Sequence, residues 1–200
     1  MPLDLINTFA TFGTFLVIAG TAIAAIAQLR HARSSNQIET LAELRQEAAS
    51  PEMATALRFV RFDLSEKLND AAFRYQMTHP ERLTEENAQL RVYISRVANY
   101  YEGMGALIRS GLADKNLLFD GSSTALVLIM WKQLGPAIAL ARQSLGDPSI
   151  YENFEYLVVL AEDWKAAHPN GTYPAGMRRI DIRYPWSEAD RQYAASLTPA

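Results

Sequence analysis

The sequence LINTFATFGTFLVIAGTAIAAIA, residues 5–27, runs for 23 residues without a charged side chain. A helix rises about 1.5 Å per residue, so this segment would be about 35 Å long. That length is enough to cross the hydrocarbon core of a bilayer, which is about 30 Å thick. We therefore predict that residues 1–33 form a single transmembrane helix with a short basic flank.

The charges on either side of this segment predict its orientation. Arg30 and Arg33 follow it closely, whereas no Lys or Arg side chain precedes it. Because basic flanks stay on the cytoplasmic side of a membrane, we expect the N-terminus outside and the rest of the chain in the cytoplasm. The predicted location is the cytoplasmic (inner) membrane, spanned once.

Residues 5–27 have two other interpretations, a cleaved signal peptide and a buried helix of a soluble protein. Ala22-Ile23-Ala24 and Ala25-Ile26-Ala27 resemble signal-peptide cleavage sites. However, the residues ahead of the run carry an acid and no Lys or Arg, and the run is longer than a usual signal-peptide core. A retained membrane anchor is the interpretation that the length and the flanks favour.

Small side chains recur along the predicted anchor at spacings of three and four residues. They are Ala10, Gly13, Val17, Gly20, Ala24 and Ala27. This spacing places them on one stripe of a helix. Small stripes allow another helix to approach closely, and such packing drives helix association in lipid. We predict that a partner subunit contacts this stripe; the alternative is that Gly and Ala are simply common in membrane helices.

The sequence pattern of residues 34–167 predicts an all-α domain, an antiparallel helical bundle on the cytoplasmic side. Apolar residues recur there at helical spacing, and three segments are typical of helix starts. These are Ser50-Pro51-Glu52, Thr84-Glu85-Glu86 and Asp147-Pro148. Ser110-Gly111 predicts a helix end of the Schellman type, and residues 69–83 are expected to form a loop.

A second apolar run, residues 123–144, raises the question of a second membrane span. Its uncharged part, residues 121–131, covers only 11 positions before Lys132, and Pro136 follows. That is too short to cross a bilayer. We therefore expect a buried core helix.

We predict that the C-terminal residues 168–200 form an extended tail with one short capped helix beginning at Ser187. Basic and aromatic side chains alternate in this tail. With the two arginines after the anchor, they form a predicted set of contacts to lipid or to a partner: Arg30, Arg33, Arg178, Arg179, Arg183, Tyr184 and Trp186. The membrane lipid and other membrane-protein subunits are the expected partners.

Composition excludes several kinds of chemistry. The chain has no Cys, which excludes disulfides, thiolate zinc sites, cysteine-ligated clusters and a cysteine nucleophile. Its net charge of −3 gives no overall basic field for nucleic acid, so no nucleic-acid partner is expected. The three histidines share no helix face, so we predict surface residues and no metal pair: His31, His79 and His168.

Acidic and basic residues of the domain could also converge into a carboxylate–arginine group: Glu102, Asp114, Asp120, Arg109 and Arg142. Helix caps and salt bridges explain them more simply. We therefore predict no catalytic residue, no cofactor and no enzymatic activity.

Several scattered residues of the domain carry a family resemblance: Tyr101-Glu102, Gly111, Asp114, Trp131, Pro136, Arg142 and Phe154. On these residues the chain resembles an uncharacterised bacterial family with one N-terminal membrane helix and a cytoplasmic helical domain of unknown function. The resemblance covers roughly residues 5–165, so the tail lies outside it. It implies no activity, cofactor or catalytic residue.

Two functions follow as expectations. The first is a non-catalytic, membrane-anchored accessory subunit that docks on a larger membrane-protein complex, such as a photosynthetic or respiratory one. The second is a membrane-tethered sensor or regulator that binds a cytoplasmic partner or a small ligand, the ligand lying between the helices near Trp131 and Tyr101.

Overall fold

The computed structural model describes residues 18, 20–25, 28, 39, 42–120 and 123–197. These residues are helical or lie in turns and loops, and no strand occurs among them, so the predicted all-α class is confirmed for this part of the chain. Residues 18, 20–25, 28 and 39 are helical and exposed, and residues 42–48 are also helical. Most of the predicted anchor lies outside the described residues.

Eight further α-helices follow in the described residues. They are α1 (Pro51–Phe62), α2 (Leu64–Lys67), α3 (Ala71–Thr78), α4 (Glu85–Arg109), α5 (Lys115–Phe119), α6 (Ser123–Leu145), α7 (Glu152–Ala167) and α8 (Ser187–Ser196), with a 3-10 turn at Pro80–Arg82. Helix α4 lies at the centre and packs against α1 and α7, while α6 packs against α7, α1 and α3.

Local sequence determines both ends of α4. The Thr84 side chain accepts a hydrogen bond from the backbone N–H of Asn87, as an N-cap does. At the other end Gly111 has φ of 72°, and the N–H groups of Gly111 and Leu112 bond to the carbonyls of Ile108 and Leu107. This is the predicted Schellman ending, which needs a left-handed residue that glycine supplies without strain.

The core is formed by apolar side chains from α1, α2, α3, α4, α6 and α7, together with α5. Its largest fully buried members are Phe73, Phe119, Phe154, Met53, Leu64, Met130, Leu134 and Leu157. Helix α4 approaches the start of α7 so closely that a Cβ on Gly105 would lie 2.0 Å from the backbone oxygen of Asn153. Only glycine allows that distance.

Two helix boundaries differ from the sequence expectations. The predicted loop over residues 69–83 contains α3, which Asp70 caps by accepting from the N–H of Ala72, and which buries Phe73. The expected start of α7 at Asp147-Pro148 is wrong, because those residues form a turn and the helix begins at Glu152. Asp147 instead accepts hydrogen bonds from the backbone and hydroxyl of Ser149.

The expectation for the second apolar run is correct in one respect and wrong in another. One face of α6 lies in the core, since Val127, Met130, Leu134 and Ile138 are buried. However, α6 continues for 23 residues with Pro136 inside it, and over Thr124–Leu145 it is long and apolar enough to cross a membrane. Because a core helix of a soluble protein passes the same test, this is weak evidence for a second span.

Helix α6 tolerates Pro136 because the affected backbone faces solvent. The proline cannot donate to the carbonyl of Lys132, four residues earlier. Pro136 and Lys132 are both exposed, so water can bond the released carbonyl. The sequence rule that a proline ends a helix therefore fails here.

Candidate functional site

The first candidate site lies where α4 and α6 meet the start of α7, and aromatic rings fill it. Phe154 is stacked on Tyr101, with ring centroids 4.9 Å apart. Trp131 meets the same Phe154 ring edge-on at 5.0 Å. The expectation of a ligand near Trp131 and Tyr101 is therefore wrong, because Phe154 occupies the space between them.

Glu102 of α4 caps helix α7. Its Oε2 accepts from the backbone N–H of Phe154 at 2.8 Å, and its Oε1 accepts from the side-chain amide of Asn153 at 2.7 Å. The residue at the helix's own N-cap position, Tyr151, makes no side-chain capping bond. A carboxylate from another helix thus accepts hydrogen bonds from N–H groups that have no partner within α7. Its negative charge is also favourable beside the positive end of the helix dipole.

Two arginines complete this junction. Arg109 forms an ion pair with Glu152 at 2.9 Å and donates to the side chain of Asn153 at 3.0 Å. Arg142 donates through Nε to the carbonyl of Ile150 at 2.8 Å. Its Nη2 is buried and lies 2.8 Å from the Glu155 carboxylate without an aligned hydrogen bond. The attraction between the two charges therefore maintains this contact.

The remaining carboxylates of the expected group lie in other roles. Asp114 caps α5 by accepting from the N–H of Asn116, and Asp120 accepts from the hydroxyl of Thr172. The carboxylates and arginines therefore serve as caps and ion pairs around α7 and α5, and they do not point together into an open site.

The histidines that the structure describes end helices. The Nδ1 atom of His79 lies 2.9 Å from the carbonyl of Tyr75, and that of His168 lies 2.9 Å from the carbonyl of Trp164. Both are half-buried and remain partly accessible at the surface; His31 lies outside the described residues. No group of His, Asp and Glu residues with metal-binding geometry occurs in the described part of the chain.

A second candidate site is a cavity of about 260 Å³ between α3, α4, α6 and the loop before α7. Its wall is mostly apolar and includes Met77, Ile94, Leu140, Ala141, Leu145 and Ile150. Five polar side chains also line it: Thr78, Arg91, Ser95, Ser144 and Tyr151. A largely apolar cavity with a few converging polar groups is the usual form of a small-molecule site.

Tyr151 takes an unusual conformation at the edge of this cavity. Its φ of 58° and ψ of 35° lie in the left-handed region, which costs energy for a residue with a side chain. Burial raises the pKa of the Tyr151 hydroxyl, while a hydrogen bond from Ser95 and the charge of Arg91 act in the opposite direction. The phenol therefore stays neutral at ordinary pH and can donate a hydrogen bond.

Sequence reasoning did not identify this cavity. Arg91 and Ser95 lie four residues apart on one face of α4, but nothing in that spacing distinguishes them from a solvated face. The left-handed backbone of Tyr151 leaves no sequence signal, since tyrosine is not a residue that prefers it.

The predicted contact residues of the tail are all exposed, as is every residue from 169 to 197. Some of them already have local partners. Arg179 donates to the carbonyl of Asn170 and lies over the ring of Tyr173, Arg183 pairs with Asp181, and the Tyr184 hydroxyl contacts Asp190.

The predicted interface of the anchor is described in part. Gly20 and Ala24 are helical and exposed, and a Cβ added at Gly20 would meet no atom within 4 Å. The other residues predicted for this interface, and Arg30 and Arg33, lie outside the described residues: Ala10, Gly13, Val17 and Ala27.

Comparison with known protein families gives one match. Residues 15–164 match the model of a domain of unknown function, DUF4760. The match includes the second half of the predicted anchor and the helical domain, and it ends before the tail. No curated protein and no solved structure matches the chain.

Proposed function

This chain belongs to the DUF4760 family of domains of unknown function, and we propose that it is a non-catalytic, membrane-anchored accessory subunit that docks on a larger membrane-protein complex. The observation that carries the proposal is the tail. Its large apolar side chains are exposed throughout: Tyr173, Met177, Ile180, Ile182, Tyr184, Trp186, Tyr193 and Leu197.

Exposure of this kind is unusual for a segment that has no further contact. Ile180 is 77% exposed and Ile182 is 89% exposed, with Trp186 beside them at 63%. Contiguous apolar surface bordered by charges marks an interaction site in soluble parts of proteins. Aromatic side chains and arginine are also the residues enriched at the centres of protein interfaces.

The tail pattern favours a protein partner over a bare lipid surface. Ile180, Ile182, Tyr184 and Trp186 alternate with charged residues and a proline in the sequence RIDIRYPW. In extended backbone this alternation places the apolar side chains on one side. An extended segment of this type can add to the edge of a partner's sheet or lie in an apolar groove.

The anchor supports the same proposal through Gly20. A side chain at this position would meet no atom within 4 Å, so the residues that the structure describes give no reason for its small size. A partner helix that approaches the stripe would supply one.

The use of the charged residues supports a non-catalytic role. Glu102, Arg109 and Arg142 are committed to the start of α7 by hydrogen bonds and ion pairs. Groups held in this way stabilise a fold and are poorly placed to exchange protons with a substrate.

The test is purification of the full chain in mild detergent, with identification of the proteins that co-purify. We expect a stoichiometric membrane-protein partner. The double variant Ile180→Asp with Trp186→Asp should reduce its recovery at least tenfold, because charged side chains would then have to be buried in the contact. Phe62→Asp is the control, since Phe62 is a large apolar side chain of α1 that is exposed to 66%.

The anchor is tested in the same assay. Gly20→Leu should weaken recovery of the partner by about one to a few kcal/mol, the usual cost of overpacking a close contact. Ile18→Leu is the control, because Ile18 is exposed and lies about 160° around the helix from Gly20; it should have little effect. If the chain purifies alone and binds anionic vesicles through the tail, the proposed subunit role is wrong.

A second function is favoured by one observation. The cavity lined by Arg91, Ser95 and Tyr151 supports a membrane-tethered sensor or regulator that binds a small ligand. The place differs from the expected one near Trp131, but the class of function is the same. A partner recovered only in the presence of a small molecule would support it.

A further inference from the structure

We propose that the cavity between α3, α4, α6 and the loop before α7 binds a small amphipathic carboxylate, with Arg91 on the carboxylate and the apolar wall around the hydrocarbon. The proposal rests on the second function above and names the class of ligand.

The charge comes from Arg91. This arginine is half-buried, lines the cavity and forms no ion pair with any described residue. The nearby carboxylates are engaged elsewhere, because Glu102 caps α7 and Glu47 lies 3.8 Å from Arg96. A partly desolvated guanidinium without a counter-ion favours an anion that can accept two parallel hydrogen bonds.

The wall determines the rest of the ligand. Met77, Ile94, Leu140 and Ile150 offer apolar surface on several sides of the cavity, which suits a hydrocarbon and opposes a sugar or a nucleotide. Its volume of about 260 Å³ has room for on the order of ten non-hydrogen atoms, if each takes about the volume of a water molecule. A carboxylate with a chain of about eight carbons has this size.

Two hydroxyl groups make the preference for a carboxylate stronger. Ser95 lies one helical turn after Arg91 on α4 and lines the same cavity as Tyr151. The neutral Tyr151 hydroxyl can therefore donate to an oxygen that the Arg91 guanidinium also holds.

The experiment is calorimetric titration of the full chain, in a non-ionic detergent, with octanoate and with octanol. Protein-free micelles supply the blank for partitioning into detergent. We expect saturable binding of one octanoate per chain and at least tenfold weaker binding of octanol. A hydrogen bond to a charged group contributes enough to explain a factor of ten or more.

Three variants locate the site. Arg91→Gln should weaken octanoate at least tenfold and leave octanol nearly unchanged, whereas Arg58→Gln, an exposed arginine on α1, should change neither. Ala141→Phe places a ring in the cavity, keeps Arg91, and should abolish binding of both probes. Circular dichroism of each variant checks that it is folded.

The outcomes separate the ligand class from the function. Equal binding of octanol and octanoate would overturn the proposal that the ligand is a carboxylate, but it would still be consistent with a ligand-binding regulator. Unchanged octanoate binding in Ala141→Phe would place the bound probe elsewhere and overturn the site. No saturable binding of either probe would overturn the inference and remove the support for the sensor function.

Discussion

Replacing Gly105 by alanine should separate α4 from α7, and Gly103 provides a matched control two residues away on the same helix. A Cβ at Gly105 would lie 2.0 Å from the backbone oxygen of Asn153 and 2.6 Å from its carbonyl carbon. A Cβ at Gly103 would meet nothing within 4 Å. Both positions gain the same helix propensity from alanine, so the difference between them measures the contact.

The size of the effect follows from the neighbouring bonds. Because the atoms that the added Cβ would meet belong to the Asn153 backbone, the start of α7 must move by about 1 Å or more to reach an ordinary contact distance. That movement would lengthen the 2.8 Å bond from Phe154 to Glu102. Overpacking costs about 1–3 kcal/mol and a lost cap about 1 kcal/mol, while alanine returns about 1 kcal/mol of helix propensity. The net loss in the free energy of unfolding is about 2 kcal/mol.

Thermal unfolding of the full chain in detergent, followed by far-ultraviolet circular dichroism, measures both variants. For a chain of this size, about 1 kcal/mol changes Tm by about 2–4 °C. Gly105→Ala should therefore lower Tm by about 4–8 °C, and Gly103→Ala should raise it by about 2–4 °C. A Tm of Gly105→Ala equal to or above that of the wild type would refute the close approach of α4 and α7.

Three further predictions concern the cap, the buried tyrosines and the membrane. Glu102→Gln keeps the size of the side chain but cannot accept from both Asn153 and Phe154. It should lower the free energy of unfolding by about 1–2 kcal/mol and speed hydrogen exchange at these two amides. Unchanged exchange would contradict the capping role of Glu102. Burial raises the pKa of Tyr101 and of Tyr100, so the stability that they contribute is complete below the unfolded pKa of about 10 and is lost as the pH rises above it. Tyrosinate absorbance should therefore rise together with loss of helix, and Tyr101→Phe should shift this loss to higher pH. Ionisation of Tyr101 without unfolding would contradict its burial. For the membrane orientation, single cysteines at Ser35 and Asn7 should react with an impermeant thiol reagent on intact cells only at Asn7; labelling at Ser35 from outside would reverse the orientation.

The helical class and several helix ends were predictable because their causes are local. Ser50, Thr84 and Asp114 cap helices within three residues of themselves, and Gly111 ends α4 through bonds to the preceding turn. Each of these depends on side chains and backbone that are neighbours in sequence. A pattern of this range can be recognised without knowing what lies on the other side of the core.

The junctions between helices depended on tertiary structure. Glu102 caps a helix whose first residues lie about fifty positions later, so its role cannot be recognised from its own surroundings in the chain. Gly105 and Gly103 are alike in sequence, yet only Gly105 meets another backbone. The region over residues 69–83 contains a helix because Phe73 finds a place in the core, and tertiary packing overrides weak local signals in such cases.

The cavity illustrates the same division. The sequence by itself determined the helical class of the domain and predicts an apolar anchor, because composition and periodicity decide what each segment can bury. Only the tertiary structure placed Arg91, Ser95 and Tyr151 around one space, since α4 and the loop before α7 are brought together by contacts between residues far apart in the chain. It also placed Phe154 where a ligand had been expected, because an aromatic side chain from α7 fills that space better than solvent does.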